Sequence, residues 1–176
     1  MSFVIETYDP DKNYYHQKKF KCGIGAIDRY ARDKDKLQDR ATRNLVKAFV
    51  LLDTEQDDRF IGYYTLQAHT VFGAYLTELS NGFLPSDVPC VKLNMLGVDQ
   101  AYKGQGLGKL LLRDAIERMV FNAQTLGIFG LYLDADPGAV AFYDRHAFVC
   151  LTDRRTDHST PMFLVTQTAR QALGTS

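Results

Sequence analysis

The sequence predicts an α/β protein with a mixed β-sheet, built as one domain over residues 1–176. Three observations lead to this prediction. The length of 176 residues fits one globular domain, since domains usually have about 100–200 residues. The second half alternates strand, glycine-rich turn, helix, strand, helix and strand, which is the pattern of an α/β fold. The first half contains two neighbouring strands joined by a polar turn, which indicates an antiparallel pair.

The first half is built mainly from strands. Short runs rich in Val, Ile, Leu, Phe and Tyr predict the strands, and the polar turn TEQDDR joins the second to the third as a β-hairpin. The charged segment 24–43, between the first two strands, is weakly helical. The segment 80–89 carries two prolines and a glycine, and is expected to be a loop. The strands of this half are expected at 3–8, 45–53, 60–71 and 90–98.

The second half begins with a glycine-rich turn, KGQGLG at 103–108, that leads into a long helix over about 105–126. Apolar residues recur along this helix at helical spacing, and Gly127 is expected to end it. The pair Asp136–Pro137 is typical of an N-cap followed by proline at the first helical position, so a short helix is expected at 137–146. The strands of this half are expected at 128–134, 148–151 and 161–166.

Composition and charge exclude several classes of protein. Lys and Arg together number 21, as do Asp and Glu, so the formal net charge is zero and a uniformly basic nucleic-acid coat is excluded. No apolar run approaches the ~20 residues of a membrane span, and the first residues lack the basic and apolar regions of a signal peptide. Three scattered cysteines form no C-x-x-C pair, so no zinc site is expected. Together these features predict a soluble cytoplasmic protein without a metal.

The turn at 103–108 is the sharpest motif of the chain. It follows a strand and opens a helix, where backbone amides converge on an anion and the helix dipole adds about half a positive charge. A Walker A loop is excluded because Leu110 stands where a hydroxyl must follow Lys109. A dinucleotide fingerprint starting at Gly104 is excluded because its third glycine would fall on Lys109. Taken alone, the turn fits either a diphosphate ligand or a plain tight turn.

The same turn resembles the acetyl-CoA loop of the GNAT N-acetyltransferases, written Q/R-x-x-G-x-G/A, with Lys103 in place of the first Gln or Arg. The resemblance implies a GNAT fold: a strongly twisted sheet with helices on both sides, whose central strands splay near 92–98 and 129–135 to admit acetyl-CoA. It also implies that amides of the loop hold the pyrophosphate and that the preceding strand pairs with the pantetheine arm. The implied cofactor-binding residues are Leu96, Gly97, Val98, Lys103, Gly104, Gln105, Gly106, Leu107, Gly108 and Lys109.

A second motif, FYDRHAF at 142–148, resembles the F-Y-x-x-x-G-F pattern of the same family, with Ala147 where the family usually has glycine. The resemblance implies that Tyr143 is the catalytic general acid that protonates the leaving thiolate of coenzyme A. A phenol with a pKa near ~10 is protonated at neutral pH and can give its proton to a thiolate whose thiol has a pKa near ~8.5. Apart from the resemblance, Tyr143 could equally be one of ten tyrosines that pack in the core.

The segment FKCGIGAIDRY at 20–30 resembles the F-x-C-G-x-x-x-L-D-x-Y/F-L opening of the GNAT toxins of toxin–antitoxin operons. Further matches lie at 61–66, 88–89, 96–98 and 160–162, and Gly97 stands where that group usually has alanine. In that group the substrate is the α-amine of an aminoacyl-tRNA, whose acetylation blocks peptide-bond formation. The resemblance therefore implies a toxin that acts on charged tRNA, forms a homodimer and is neutralised by a ribbon-helix-helix antitoxin.

The segment 18–47 is basic in a chain of zero net charge. It holds ten basic and four acidic residues, a local charge of +6. Phosphate backbones bind to such patches. Basic residues that step by three or four would share one face of a helix, although the alternating charges at 33–36 also fit a solvated surface with ion pairs. The candidate tRNA-binding residues are Arg29, Arg32, Lys36, Arg40 and Arg43.

No glutamate stands in an obvious position for a general base, since Glu78 falls in an expected loop and Glu117 on the long helix. An α-amine, with a pKa near ~7.7, needs less help to lose its proton than a lysine amine near ~10.4. The absence of a base therefore favours an α-amine acceptor. Three other hypotheses stay open: an acetyltransferase for a small amine or a protein amine, a non-enzymatic acetyl-CoA sensor, and a pure RNA-binding module. The glycine turn together with Tyr143 argues against the last two.

Overall fold

Seven strands form one mixed sheet in the computed structural model, which describes residues 2–151 and 158–174. The strands are β1 Phe3–Thr7, β2 Lys47–Asp53, β3 Arg59–Phe72, β4 Asp87–Val98, β5 Gly130–Ala135, β6 Val149–Cys150 and β7 Thr160–Val165. Their order across the sheet is β1-β2-β3-β4-β5-β7-β6. The pairs β1·β2, β2·β3, β5·β7 and β6·β7 are antiparallel, whereas β4 and β5 are parallel. The α/β class with a mixed sheet is therefore confirmed.

Five α-helices accompany the sheet within the part of the chain that the structure describes. They are α1 Gly25–Arg32, α2 Asp39–Thr42, α3 Leu107–Asn122, α4 Val140–Asp144 and α5 Thr166–Leu173. The helix α5 has no counterpart in the sequence prediction, which extended the last strand to residue 166. Its sequence, TQTARQAL, is mostly polar and buries only Thr166 and Ala169. This segment has too few apolar residues for the sequence to show a helical periodicity.

The predicted hairpin is confirmed, with its register set at both ends. β2 pairs with β3 from Lys47 opposite Leu66 to Asp53 opposite Arg59, with one irregularity in between. The expected loop at 80–89 is too long, because β4 already begins at Asp87. Two buried side chains, Val88 and Cys90, alternate with exposed neighbours at the start of this strand, so the two prolines did not prevent strand formation there.

The two predicted helices of the second half are shorter than expected. α3 ends at Asn122, and residues 123–126 form a turn that begins with a hydrogen bond of 3.0 Å from the amide of Ala123 to the carbonyl of Met119. The expected helix 137–146 consists of a 3₁₀ turn, Pro137–Ala139, followed by α4. Its start was predicted correctly, since the Asp136 carboxylate accepts from the amide of Gly138 at 3.1 Å.

The central strands β4 and β5 pair with each other over a short stretch. Val91 pairs with Leu131 and Lys92 with Tyr132, although β4 has 12 residues and β5 has six. Within the described residues these are the paired positions of the two strands. The expectation that the central strands splay agrees with so short a pairing.

The chain divides into two compact units. The first comprises Met1–Gln67 with Asn94–Ala115, and the second comprises Ala68–Leu93 with Ile116–Ser176. In the first unit the core is aromatic: Phe20 is fully buried and meets the rings of Phe60 and Tyr63 at centroid distances of 5.4 and 5.5 Å. In the second unit, Phe163 and Tyr132 are buried together with aliphatic side chains.

Two searches of the described residues give negative results. No helix within 2–151 or 158–174 combines the length and the apolar character needed to cross a membrane. Over the same ranges, no three His, Cys, Asp or Glu side chains are grouped so that they could hold a metal ion.

Candidate active site

Two glycines of the turn at 103–108 have backbone conformations that favour glycine. Gly104 has a φ of 79° and Gly106 a φ of 75°. A Cβ built on either residue would meet nothing within 4 Å, so it is the backbone conformation and not a lack of space that calls for glycine. Residues 103–106 of the turn are also exposed. Its backbone is therefore open to a ligand.

The N-terminal end of α3 supplies free amides beside this turn. The first hydrogen bond of the helix runs from the amide of Leu110 to the carbonyl of Gly106 at 3.1 Å. The amides of Leu107, Gly108 and Lys109 precede that bond, and such amides have no partner inside their helix. Because they lie at the positive end of a 16-residue helix, they suit an anion.

Lys103 contributes an exposed ammonium at the start of the turn. Its Nζ lies 3.6 Å from the point where a Cβ on Gly23 would stand. The side chain is thus directed toward the backbone of the 20–30 motif. It offers a point charge rather than the planar fork of the arginine that is usual in the resembling family.

The end of β4 lies directly before the turn. Leu96 and Val98 are half-buried, while Gly97 is buried. A Cβ on Gly97 would lie 2.9 Å from Cγ2 of Ile27 and 3.3 Å from the Cβ and Sγ of Cys22. The departure from the usual alanine therefore has a steric cause, since α1 and the segment before it leave no room for a methyl group.

Tyr143 lies on α4 in the second unit and is buried. Its ring meets Phe142 and Phe148 edge to face, at centroid distances of 5.1 and 5.6 Å. Burial raises the pKa of the Tyr143 phenol above its ordinary value, which keeps the hydroxyl protonated. The phenol is thus a neutral proton donor.

The backbone conformation of Ala147, shortly after the end of α4, explains why the F-Y-x-x-x-G-F pattern has a glycine at this position. Ala147 has a φ of 69°, the left-handed conformation that commonly ends a helix and that glycine adopts most easily. The amides of His146 and Phe148 donate to the carbonyl of Tyr143 at 2.9 and 3.3 Å. The chain keeps this helix end with an alanine, at a conformational cost.

The motif at 20–30 forms a tight turn in front of α1. The carboxylate of Asp28 is buried and accepts from the amide of Cys22 at 2.6 Å and from that of Gly23 at 3.4 Å. Gly23 has a φ of 103°, which only glycine adopts readily. Burial raises the pKa of the Cys22 thiol to about 11, so this cysteine packs and is not a thiolate nucleophile. The motif is therefore explained by backbone geometry.

The basic segment is helical, but it is not one helix. α1 ends at Arg32, and the next residue, Asp33, is extended with a φ of −79° and a ψ of 127°. A π-helical turn, Lys34–Gln38, then follows before α2. The basic residues would share one face only on a continuous helix, and the segment does not form one. A single extended residue and a turn of different pitch break the spacing of three or four that aligns side chains on a helix.

The five candidate basic residues differ in their surroundings. Arg29 and Lys36 are exposed. Arg40 lies over the ring of Tyr30 at 5.4 Å, and Arg43 is paired with Asp39 at 3.3 Å. Arg32 donates from Nε to the carbonyl of Phe20 at 2.6 Å. Arg32 thus has a structural contact, whereas Arg29 and Lys36 present their charge to solvent.

The two glutamates considered as bases are both exposed. Glu78 lies in a short 3₁₀ helix, Thr77–Leu79, rather than in an irregular loop. Glu117 lies on α3. Neither has the burial that would prepare a carboxylate for abstracting a proton near neutral pH.

One residue of the site was missed by sequence reasoning. Asp99, between β4 and the turn, is buried and caps the 3₁₀ helix Gln100–Tyr102 by accepting from the amide of Ala101 at 3.0 Å. An aspartate just after a strand is a recognisable capping signal. Its second contact, to the motif at 20–30, could not be found from sequence spacing.

Comparison with known proteins now adds to this geometry. The model of the acetyltransferase (GNAT) family matches residues 13–148. A protein of Sinorhizobium fredii named probable toxin TacT is 29% identical over 97% of this chain and 95% of its own length. A tRNA-acetylating toxin of Mycobacterium tuberculosis is 37% identical over 70% of this chain and 72% of its own.

Among solved structures, one described as a bacterial toxin superposes with a TM-score of 0.92 at 34% identity, over 98% of this chain and 96% of that one. The resemblance to the GNAT toxins is thereby confirmed, and so is the expectation of an acetyltransferase. The family match extends from the 20–30 motif through the glycine turn to α4. The chain belongs to the acetyltransferase (GNAT) family.

Proposed function

We propose that the chain is one acetyltransferase domain that moves the acetyl group of acetyl-CoA to the α-amine of an aminoacyl-tRNA, and so acts as a toxin of translation. The observation that carries this proposal is the exposed turn with Gly104 and Gly106 at positive φ, at the positive end of α3. Such a turn holds a diphosphate, and coenzyme A carries one.

The donor is bound by backbone groups for the most part. The pyrophosphate of acetyl-CoA is held by amides of the turn and of the first residues of α3, with Lys103 as a point charge. The pantetheine arm adds to the free edge of β4 near Leu96 and Val98, in the manner of an extra strand. At Gly97 the strand packs closely against the side chains of Cys22 and Ile27. This contact fixes the position of the strand.

The chemistry is a direct transfer. The neutral amine nitrogen attacks the thioester carbon, a C–N bond forms, the C–S bond breaks, and the proton of the amine leaves to water. An amide near 96–98 stabilises the oxyanion. Tyr143 gives its phenolic proton to the thiolate of coenzyme A and regains a proton from water. The raised pKa of Tyr143 keeps that proton available at neutral pH.

An aminoacyl-tRNA is supported as the acceptor by three observations. The segment 18–47 carries a charge of +6 in a chain of zero net charge. Arg29 and Lys36 expose that charge. A relative with 37% identity is named a tRNA-acetylating toxin. An α-amine also needs no dedicated base, in keeping with the exposed positions of Glu78 and Glu117.

The test is a transfer assay with labelled acetyl-CoA and a panel of acceptors. Aminoacyl-tRNAs are compared with the same tRNAs after deacylation, with polyamines and with peptides that carry a free lysine. We expect label on aminoacyl-tRNA and none on deacylated tRNA. Label on peptides or polyamines alone would overturn the acceptor and leave the donor chemistry intact.

A small amine or a protein amine is the second candidate acceptor. The observation that favours it is the internal pairing of the basic segment, in which Arg43 pairs with Asp39 and Arg32 bonds to the carbonyl of Phe20. Such contacts reduce the charge that is free for phosphates. The same acceptor panel separates the two candidates.

The proposed partners are an antitoxin and a second copy of the chain. A toxin of this group is expected to be neutralised by a small ribbon-helix-helix DNA-binding protein, encoded by a neighbouring reading frame. Co-purification with that neighbour and loss of acetyl transfer in the complex would support the pairing. Light scattering on the isolated chain tests the homodimer through a doubled mass.

A further inference from the structure

We infer that Asp99 is a positioning residue of the acetyl-CoA turn, because it ties the turn to the backbone of residues 20–23, here called the motif loop. The inference rests on the proposed binding of acetyl-CoA by the turn at 103–108. It adds a residue that does not itself touch the ligand. All of the contacts below lie within the first unit.

Asp99 uses both of its carboxylate oxygens. Oδ1 accepts from the amide of Ala101 at 3.0 Å, which caps the 3₁₀ helix Gln100–Tyr102. Oδ2 accepts from the amide of Lys21 at 3.3 Å. The amide of Gln100 in turn donates to the carbonyl of Lys21 at 2.8 Å. The amide of Lys21 therefore donates to Asp99, and its carbonyl accepts from Gln100. These two hydrogen bonds connect the motif loop to the residues just before the turn.

The backbone of Asp99 is fixed as well. Its amide donates to the carbonyl of Ile61 on β3 at 2.7 Å, and its side chain is 7% exposed. A buried carboxylate with two amide donors is strongly held, because hydrogen bonds to a charged group are the stronger ones. The turn thus begins from a residue that cannot move without breaking contacts to β3 and to the motif loop.

The motif loop is itself held from the other side by α1. Asp28 accepts from the amides of Cys22 and Gly23, and Arg32 donates to the carbonyl of Phe20. Asp99 and Gln100 hold the one remaining residue, Lys21. The motif loop is therefore fixed between α1 and the start of the turn, and Lys103 reaches to within 3.6 Å of a Cβ position on Gly23.

His16 and Arg59 complete the surroundings of Asp99. His16 Nε2 lies 3.7 Å from Oδ2 of Asp99 and 3.0 Å from a guanidinium nitrogen of Arg59. Because Arg59 can only donate, this ring nitrogen accepts and His16 is neutral. Burial and the charge of Arg59 lower the pKa of His16 by more than Asp99 raises it. At 3.7 Å, His16 forms no hydrogen bond with Asp99, whose two oxygens accept from the amides of Ala101 and Lys21.

Two variants of Asp99 test this connection separately from the cap. Asparagine caps a helix well, but it has one acceptor oxygen in place of two, so D99N keeps the bond to Ala101 and loses that to Lys21. D99S also keeps a capping hydroxyl, and its shorter side chain does not reach Lys21. The matched control is D9N: the carboxylate of Asp9 likewise accepts from the amide two residues further on, that of Asp11, at 2.9 Å in the first unit.

The measurements are the Kd of coenzyme A by calorimetry, and KM for acetyl-CoA and kcat in the transfer assay. For D99N and D99S we expect Kd and KM to rise about five- to tenfold, as the loss of one hydrogen bond to a charged group allows, with kcat within about twofold. D9N should leave Kd and KM at the wild-type values, since it removes a carboxylate charge without touching the connection between Asp99 and Lys21.

An unchanged Kd in both Asp99 variants would overturn the inference, as would an equal rise in D9N. The inference and the proposed function fail in different ways. Wild-type protein that binds coenzyme A but acetylates no aminoacyl-tRNA overturns the proposed acceptor alone, and the three Kd values still decide the role of Asp99. Wild-type protein that binds no coenzyme A overturns both.

Discussion

A Cβ built on Gly97 lies 2.9 Å from Cγ2 of Ile27, closer than carbon atoms of a folded core approach one another. Gly97 is on β4 and Ile27 on α1, so this contact joins the strand of the proposed pantetheine site to the helix of the basic segment. The side chain of Cys22 stands behind the same point at 3.3 Å. The helix can lie this close only because residue 97 has no side chain.

Gly97→Ala should therefore destabilise the protein, even though alanine is usual here in the toxin group. Overpacking of a core costs about 1–3 kcal/mol, and we expect a loss in that range in the free energy of unfolding in urea. In the double variant Gly97→Ala with Ile27→Ala, the Cγ2 atom that would clash with the new methyl group is removed. The second change should therefore offset part of the clash. A double variant less stable than the sum of the two single changes would contradict the steric explanation.

Ala147→Gly should stabilise the protein. Ala147 has a φ of 69°, and the left-handed conformation costs an L-residue about 1–2 kcal/mol. Glycine removes that cost but loses about 0.4–1 kcal/mol through the greater freedom of the unfolded chain. We expect a net gain of up to about 1 kcal/mol in the free energy of unfolding, measured in urea.

The control for Ala147→Gly is Ala139→Gly, at a position with a φ of −104°, where only the entropic loss applies. A loss of stability in both variants would contradict the conformational argument for residue 147.

Tyr143→Phe should lower kcat by about 10²–10⁴-fold, the usual contribution of a positioned general acid, and leave the Kd of coenzyme A unchanged. Because burial raises the pKa of Tyr143 above its ordinary value, the wild-type kcat should also show no alkaline decline up to pH 9. The variant Phe142→Leu, which changes a ring next to Tyr143 without removing a proton donor, serves as the control. Wild-type rates in Tyr143→Phe would refute the general acid.

Arg29→Ala and Lys36→Ala should each weaken the binding of tRNA by a similar factor for every tRNA tested. Both residues are exposed. Removing one phosphate contact should reduce the salt slope, which is the slope of log affinity against log salt concentration, by about 1. Affinity measured at several salt concentrations gives this slope. Lys12→Ala is the matched control, because Lys12 is an exposed cation outside the segment 18–47 that pairs with Glu6 at 3.3 Å. An equal effect of Lys12→Ala would mean that the attraction is not local.

His16 should make stability depend on pH. Burial and Arg59 lower its folded pKa below its unfolded value of about 6.5, so between these two values the unfolded chain binds more protons. The free energy of unfolding should therefore fall as the pH drops below about 6.5, level off below the folded pKa, and be unaffected by His16 at higher pH.

The variant His16→Gln keeps an acceptor for Arg59 and cannot titrate. Urea unfolding from pH 5 to pH 8 should give a flatter profile for His16→Gln than for the wild type, with the two curves parallel above about pH 7. Curves that stay parallel down to pH 5 would show that His16 has the same proton affinity in both states.

Several parts of the site followed from local sequence because their causes are local. A left-handed backbone at Gly104 and Gly106 needs glycine whatever surrounds it. The run of apolar residues after it can bury one face only as a helix, which is α3. Tyr143 was predicted to be the general acid because its motif, and the distance of that motif from the turn, resemble those of a known family. Element boundaries were less accurate, because the ends of β4 and α3 depend on what each residue packs against.

The remaining features depend on contacts between residues far apart in the chain, and no spacing rule contains them. Gly97 follows from Ile27, 70 positions earlier in the sequence, and the amide of Lys21 is bound by a carboxylate 78 positions away. The extended backbone at Asp33 likewise interrupts the helix that the basic residues would need in order to share one face. The sequence by itself determined the α/β class and the glycine-rich turn, because backbone conformation and apolar periodicity are properties of neighbouring residues, and the candidate acid was implied by the resemblance to a known family. Only the tertiary structure decided which basic residues are exposed and what holds the turn in place, because burial and hydrogen bonding depend on packing.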